Sequence, residues 1–309
     1  MTYSSGSTIT AADYNTFTNS VDAVWGVGSG ENGYGQTNII GETVVGSTIS
    51  ATQWATLLAR TSSAASHQGT SITAITSPTA GDTISAYAAL STNITAIESG
   101  RNNAAASGSD STAATTTTTA WVNTATTSKT ITFASANQLR YFFNAGGMIR
   151  MSFSRSGGTA SDQNTSWTNL LTACGTIVLT GAGDPGPNKT IAGTSYTGTT
   201  KIGGSGTADT LAEGIGAYDL TGTNQTLFKQ FATTYTYTAN FAQIQASISG
   251  SVITITATMD DQKTPGVPGG LDSVDGTLTM NTTIRPPSTT YIADTWGSVT
   301  QNSATWTLT

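Results

Sequence analysis

Apolar side chains recur at helical spacing over the first hundred residues and at alternate positions over most of the remainder. Tyr14, Phe17, Val21 and Val24 fall three, four and three residues apart, and Tyr87, Leu90, Ile94 and Ile97 repeat that spacing. Trp54, Leu57 and Leu58 mark a shorter stripe between them. A repeated phrase precedes each stripe: "STITAADYNTF" from Ser7, "STISATQWATL" from Ser47 and a degenerate "DTISAYAAL" from Asp82. Thr10 with Asp13, and Ser50 with Gln53, are the residue types that cap a helix reciprocally at its N-terminus. Three helices are therefore expected, one per phrase.

These helices have narrow apolar seams, and a helix of about 15 residues is marginal in water unless that face is covered. Tyr14, Phe17, Val21, Val24, Trp54, Leu57, Tyr87, Leu90, Ile94 and Ile97 must meet each other or a symmetry mate. The expectation is an oligomerisation seam within an N-terminal attachment segment, residues 1–103. Residues 104–127 follow as a Thr/Ala-rich, almost uncharged run that reads as a linker or as an edge strand on an oligomer.

From 128 to 309 the pattern is β-rich with two helical interruptions. In "SKTITFAS", Ile131 and Phe133 share one side, and Ser135 with Gln138 then caps a helix carrying Leu139, Phe142 and Phe143. Gly146 and Gly147 stop it, and Ile149, Met151 and Phe153 alternate with polar residues as a strand. Trp167, Leu170, Leu171, Cys174 and Gly175 repeat that order before the strand "TIVLT". Farther on, Ile244, Ile248, Ile253 and Ile255 give the apolar sides of two strands joined near Ser249 and Gly250. The fold class expected is α+β: short N-terminal amphipathic helices, then a β-rich sandwich-like domain with two helix-to-strand units.

Composition narrows the function. Only 9% of the 309 residues are charged and the net charge is −6, so no basic patch exists to neutralise phosphates, and nucleic acid is not expected as a partner. No window is apolar enough to span a bilayer, and the first residues lack the regions of a secretory signal. The lone Cys174 falls on an apolar helix side, where a buried thiol is expected, and the lone His67 reads as an ordinary surface residue. "GVGSGENGYGQ" spells GxGxxG at Gly28, Gly30 and Gly33, but after a helix rather than a strand, so a dinucleotide is not expected there. Neither cofactor nor zinc has a ligand set, and no nucleophile–histidine–acid motif accompanies His67. Asp260, Asp261, Asp272 and Asp275 could converge on Ca²⁺, but their spacing matches no EF-hand and a solvated loop is the simpler reading. Arg140, Arg150 and Arg155 lie on a helix and on opposite sides of one strand, which argues against a shared anion site.

"LRYFFNAGGMIRMSFSRSGG", then "WTNLL", "GTIVL", "GAYDLT" with Phe228, and "VDGTLT" resemble a recurrent module of virion structural proteins from tailed bacteriophages, particularly contractile-tailed phages of aquatic bacteria. The resemblance covers roughly 128–309, and the N-terminal "TITAADYNTF" phrase looks like the front of such proteins. It implies a particle component of a tail fibre, whisker or neck appendage, located in the virion. That component acts by assembly with other virion proteins rather than as an enzyme, as a homo-oligomer with a trimer favoured. The motif supplies no catalytic residues. The alternative is a carbohydrate-binding adhesin in which exposed aromatics such as Trp296 or Trp306 stack on a host surface glycan.

Overall fold

The first three helices form where the repeated phrases put them. In the computed structural model, which describes residues 9–27, 32–39, 43–44, 46–79, 86–105, 109–181, 188–262 and 273–309, they are α1 (Ala11–Trp25), α2 (Ala51–Gln68) and α3 (Tyr87–Ser99). Both reciprocal caps are present: the Asp13 amide donates to Thr10 Oγ1 and the Thr10 amide to Asp13 Oδ2 at 2.8 Å. Ser50 and Gln53 do the same. The third helix starts after Ala86 without a side-chain cap, and the Asp82–Ser85 portion of its phrase lies outside the described residues.

The three seams close on one another. Phe17 packs edge-on to Trp54 at 6.3 Å and against Tyr87 at 4.7 Å, and Tyr14 meets Trp54 at 5.7 Å. The seam residues are buried apart from Tyr87, which is partly so. They form the interior of a three-helix bundle within one chain. Three narrow stripes, each too small to shelter a helix alone, suffice when they face a common axis.

Past the bundle, the described part of the hydroxyl-rich 104–127 run contributes strands to three sheets. β1 (Asn103–Ala104) pairs in parallel with β6 (Lys189–Ile191), which is followed by β7 (Thr194–Tyr196). β2 (Ser111–Thr117) is the edge strand of a five-stranded sheet in the same chain. β3 (Thr124–Thr132) lies in the other large sheet. Thr and Ser fit such positions because their short branched or hydroxyl side chains pair across strands on a half-exposed face.

Both helix-to-strand units are present. α4 (Ala136–Asn144) runs into β4 (Met148–Ser156), and α5 (Asp162–Cys174) into β5 (Thr176–Leu179). β4 and β5 pair antiparallel, and with β8 (Thr199–Ile202) and β13 (Thr277–Arg285) they complete the order β2-β13-β4-β5-β8. The second sheet has seven strands in the order β14-β3-β12-β11-β10-β9, with β15 also on β3. Its further members are β9 (Thr210–Leu211), β10 (Gln225–Phe231), β11 (Phe241–Ser249), β12 (Val252–Asp260), β14 (Thr300–Gln301) and β15 (Thr307–Leu308). β11 and β12 turn through Gly250, whose φ of 59° suits the tight hairpin.

α5 sits between the two sheets, touching β4 on one side and β10 and β11 on the other. Alternation is strict along β12 and β13: Ile253, Ile255, Ala257 and Met259 point inward from β12, and Leu278, Met280 and Ile284 from β13. The last strands close one side of the sandwich. They pair with β3, Gln301 Nε2 donates to the Ser111 carbonyl, and Trp306 Nε1 donates to the Thr115 carbonyl at 3.0 Å. Trp296 and Trp306 are therefore buried, which corrects their expected role as exposed sugar-stacking rings. A Trp in a sparsely hydrophobic chain is its largest apolar surface, and the sandwich uses it internally.

The stretch 139–155 is the junction. Phe142 and Phe143 pack on Phe133 of β3's end at 5.2 and 6.1 Å. Gly146, at φ 96°, ends the helix so closely against Ala104 that a side chain there would collide, and the Phe142 ring lies against Gly147. Asn144 Nδ2 donates to the Gly33 carbonyl, and Gln36 Nε2 to the Ala293 carbonyl. Helical bundle and sandwich thus share one continuous apolar core.

Candidate functional site

Several of the chain's scarce ionisable groups serve the fold. Arg155 follows Ile149, Met151 and Phe153 on the inward side of β4, and its Nη1 donates to the Asn164 carbonyl and to Thr168 Oγ1. Its Nη2 pairs with Asp275 at 3.4 Å. Asp275 also accepts from the Thr159 hydroxyl and amide and from Asn164, and these bonds, Thr159's first, hold its carboxyl below the usual carboxylate range. Gln163 donates to Asp261, so adjacent residues in the first turn of α5 grip the two ends of the 262–274 connection.

Of the acidic residues that could converge on Ca²⁺, the described ones, Asp260, Asp261 and Asp275, do not come together as one site. Asp260 accepts from Gln262, Asp261 from Gln163 and Asp275 from the Thr159 cluster, while Asp272 lies outside the described residues. Among the described residues, no three acidic, His or Cys side chains are grouped as metal ligands. The three arginines are also separate. Arg140 lies over Tyr141, Arg155 is internal, and Arg150 stands 3.7 Å from Asp110, which Arg285 binds in a fork at 2.6 and 2.7 Å.

His67 is not a surface residue. It occupies the last turn of α2, fully buried, with Nε2 3.0 Å from the Ala145 carbonyl and its ring edge-on to Tyr34. Burial lowers its pKa to about 4, against the smaller opposing effect of that carbonyl. The stripe on α2 continues from Leu57 through Thr61, Ala64 and His67, and its small and polar members conceal it from an apolar count. Cys174 is buried as expected, and burial pushes its thiol up to about 12. Gly28 and Gly30 of the glycine-rich phrase lie outside the described residues.

The candidate surface is the outer face of the seven-stranded sheet. Register puts Phe231, Phe241 and Asp260 in one cross-strand row, Lys229, Gln243, Thr258 and Thr126 in the next, and Thr226, Gln245, Thr256 and Ser128 in the third. All are partly or fully exposed. A bulge between Thr226 and Phe228 turns both Leu227 and Phe228 inward and keeps Thr226 and Lys229 outward. Neighbouring groups are about 4.8 Å apart across strands and roughly 6.7 Å apart along them. Ser128 and Thr256 share a hydroxyl bond of 3.0 Å, and Thr226 Oγ1 accepts from both Gln243 Nε2 at 2.9 Å and Gln245 Nε2 at 3.3 Å. The Lys229 ammonium rests 3.9 Å from the Phe241 ring centre and 4.6 Å from that of Phe231.

Reading the sequence for inward Ile residues passed over this face, because its signal is the other half of the same alternation. Every second residue of "FAQIQASIS" and "TATTSKTIT" is a hydroxyl, an amide or Phe241. The five-stranded sheet is similar outside, with hydroxyl pairs Thr112–Thr283 at 2.7 Å and Thr116–Thr279 at 3.4 Å. No helix among the described residues is long and apolar enough to cross a membrane. No family model, curated protein or solved structure matches the chain.

Proposed function

We propose that the protein is a structural subunit of a tailed-bacteriophage virion, part of a tail fibre, whisker or neck appendage, and that it acts by assembly with copies of itself and other virion proteins. The observation that carries this reading is the single core joining the three-helix bundle to the sandwich. Such a unit is a rigid block, whose outer sheet faces are ladders of hydroxyls with few charges. Charge-poor faces pack in permanent assemblies without leaving buried ions unpaired. The resemblance of 128–309 to virion proteins supports the same reading and favours a trimer.

The seam residues pack inside the chain, and the assembly surface of this reading is the outer face of the five-stranded sheet. There the Thr112–Thr283 ladder is flanked by Asp110 between Arg150 and Arg285. The test is immunogold electron microscopy of purified particles made from the genome that encodes the chain. Label at repeated positions is expected; a chain missing from purified particles refutes the reading. Light scattering of the purified protein should give a mass above 31.5 kDa. Asn281→Lys, on that outer face, should lower the mass toward the monomer.

A further inference from the structure

We propose that the outer face of the seven-stranded sheet, over β10, β11 and β12, binds a neutral polysaccharide chain. Gln243, Gln245, Thr256, Thr258 and Lys229 form its hydrogen-bonding floor, and Phe231 with Phe241 its apolar end. This goes beyond the structural reading and stands or falls separately from it.

Three features point to that occupant. The first is the charge of the face: Lys229 and Asp260 are the ionisable residues at the outward positions of β10, β11 and β12, one of each sign and both near the same end. An uncharged face offers no gain to a phosphate backbone or an anionic glycan, whereas hydroxyls and amides both donate and accept, as sugar hydroxyls do. The second is preorganisation. Thr226 Oγ1 sits between the two glutamine amides and receives an N–H from each, which holds both side chains in place on the face. A long side chain already held in place loses little entropy on binding. The Lys229 ammonium is likewise held down on two rings rather than free in solvent.

The third is the aromatic end. Phe231 and Phe241 meet edge-to-face at 5.6 Å on the outward side, where a core residue has no reason to be. The hairpin that joins their strands carries Tyr235 at φ 57° and 52% exposed. A tyrosine in the left-handed region costs about 1 kcal/mol or more, and such strain collects where a side chain is presented for recognition. Carbon–hydrogen faces of sugars pack on rings of this kind while their hydroxyls bond to neighbouring amides.

The experiment is native electrophoresis of the full chain in gels containing laminarin, galactomannan or dextran, alongside a glycan array. Retardation by at least one neutral polysaccharide is expected. It should weaken about thirtyfold in Gln243→Ala/Gln245→Ala, since each of the two lost bonds contributes about 1 kcal/mol. Thr256→Ala provides a milder change on the same floor, and Thr279→Ala on the opposite sheet should leave binding unchanged. Four results overturn the proposal: no binding to any neutral glycan on gel or array, binding that survives the double substitution at an unchanged melting temperature, binding confined to anionic glycans, or a loss of oligomer mass in the double variant without glycan binding. A chain found in particles that binds no glycan sinks this inference and leaves the structural reading standing.

Discussion

Mild acid should loosen the helical bundle from the sandwich through His67. Its Nε2 faces the Ala145 carbonyl at 3.0 Å and so carries the proton, while Nδ1 is a buried acceptor without a hydrogen-bond partner among the described residues. A second proton would put a charge on a fully buried ring between α2, Tyr34 and the end of α4. The folded-state pKa is near 4, whereas the unfolded chain titrates near 6.5. Between these values the unfolded chain holds a proton that the folded chain lacks, so stability is full above about pH 6.5 and falls as pH drops toward 4. A gap of about 2.5 units corresponds to about 3 kcal/mol. That is a large share of the roughly 5–15 kcal/mol that holds a domain folded.

The assay is urea unfolding at several pH values from 7.5 to 4 for the native protein and His67→Gln, whose amide can still donate to Ala145. The native protein should lose about 3 kcal/mol more than the variant across the window. Asp22, whose carboxyl burial raises, acts in the opposite direction, and the depressed carboxyls of Asp110 and Asp275 add losses at more acid pH. All three are common to both proteins and cancel in the difference. Parallel stability curves for the two proteins would refute the assignment.

Phe17→Ala should cost about 3–5 kcal/mol, because it opens a cavity between Trp54 and Tyr87. The protein should still unfold in one transition by circular dichroism and by tryptophan fluorescence, and two separated transitions would disprove the shared core. Gly146→Ala should destabilise more than Gly157→Ala: both glycines have positive φ, but a side chain at Gly146 strikes Ala104 whereas Gly157 has open space. Each carries a strain of about 1 kcal/mol, and equal melting temperatures in the two variants would remove the collision argument. Trp306→Phe should lose the bond to the Thr115 carbonyl, about 1 kcal/mol. Hydrogen exchange should then speed up along β2 while β11 stays protected, and unchanged β2 exchange would show that Trp306 does not hold that edge.

Local elements were legible because local chemistry determines them. Ser50 and Gln53, Ser135 and Gln138, and the glycines that stop α4 and α5 act within a turn or two of their own positions. The alternation along β12 is equally local, since a strand with one buried face must read that way. What was not legible is which apolar stripe meets which. Nothing near Phe17 says that its partner is Trp54 of the same chain rather than of another, and nothing near Trp306 says that it closes a sandwich against Thr115. His67 was missed for a similar reason: its burial is made by Tyr34 and Ala145, far from it in sequence. The outer hydroxyl face was visible as composition, but only register arranges Gln243, Gln245 and Thr226 into one bonded group.

The placement of β2 and β3 also bears on how quickly the molecule can form. Consecutive in the chain, they belong to different sheets, and each waits for a strand made much later: Thr112 of β2 meets Thr283 across 171 residues, and Ser128 of β3 meets Thr256 across 128. Pairings over such distances are slow, because a long loop must close before any contact rewards it. During synthesis the Thr-rich edges stand unpaired while the helical bundle, whose contacts are local, is already able to fold. The low charge that suits the finished surface gives these edges little protection in the meantime, so yield should depend on growth temperature and on chaperone supply more than equilibrium stability alone would suggest.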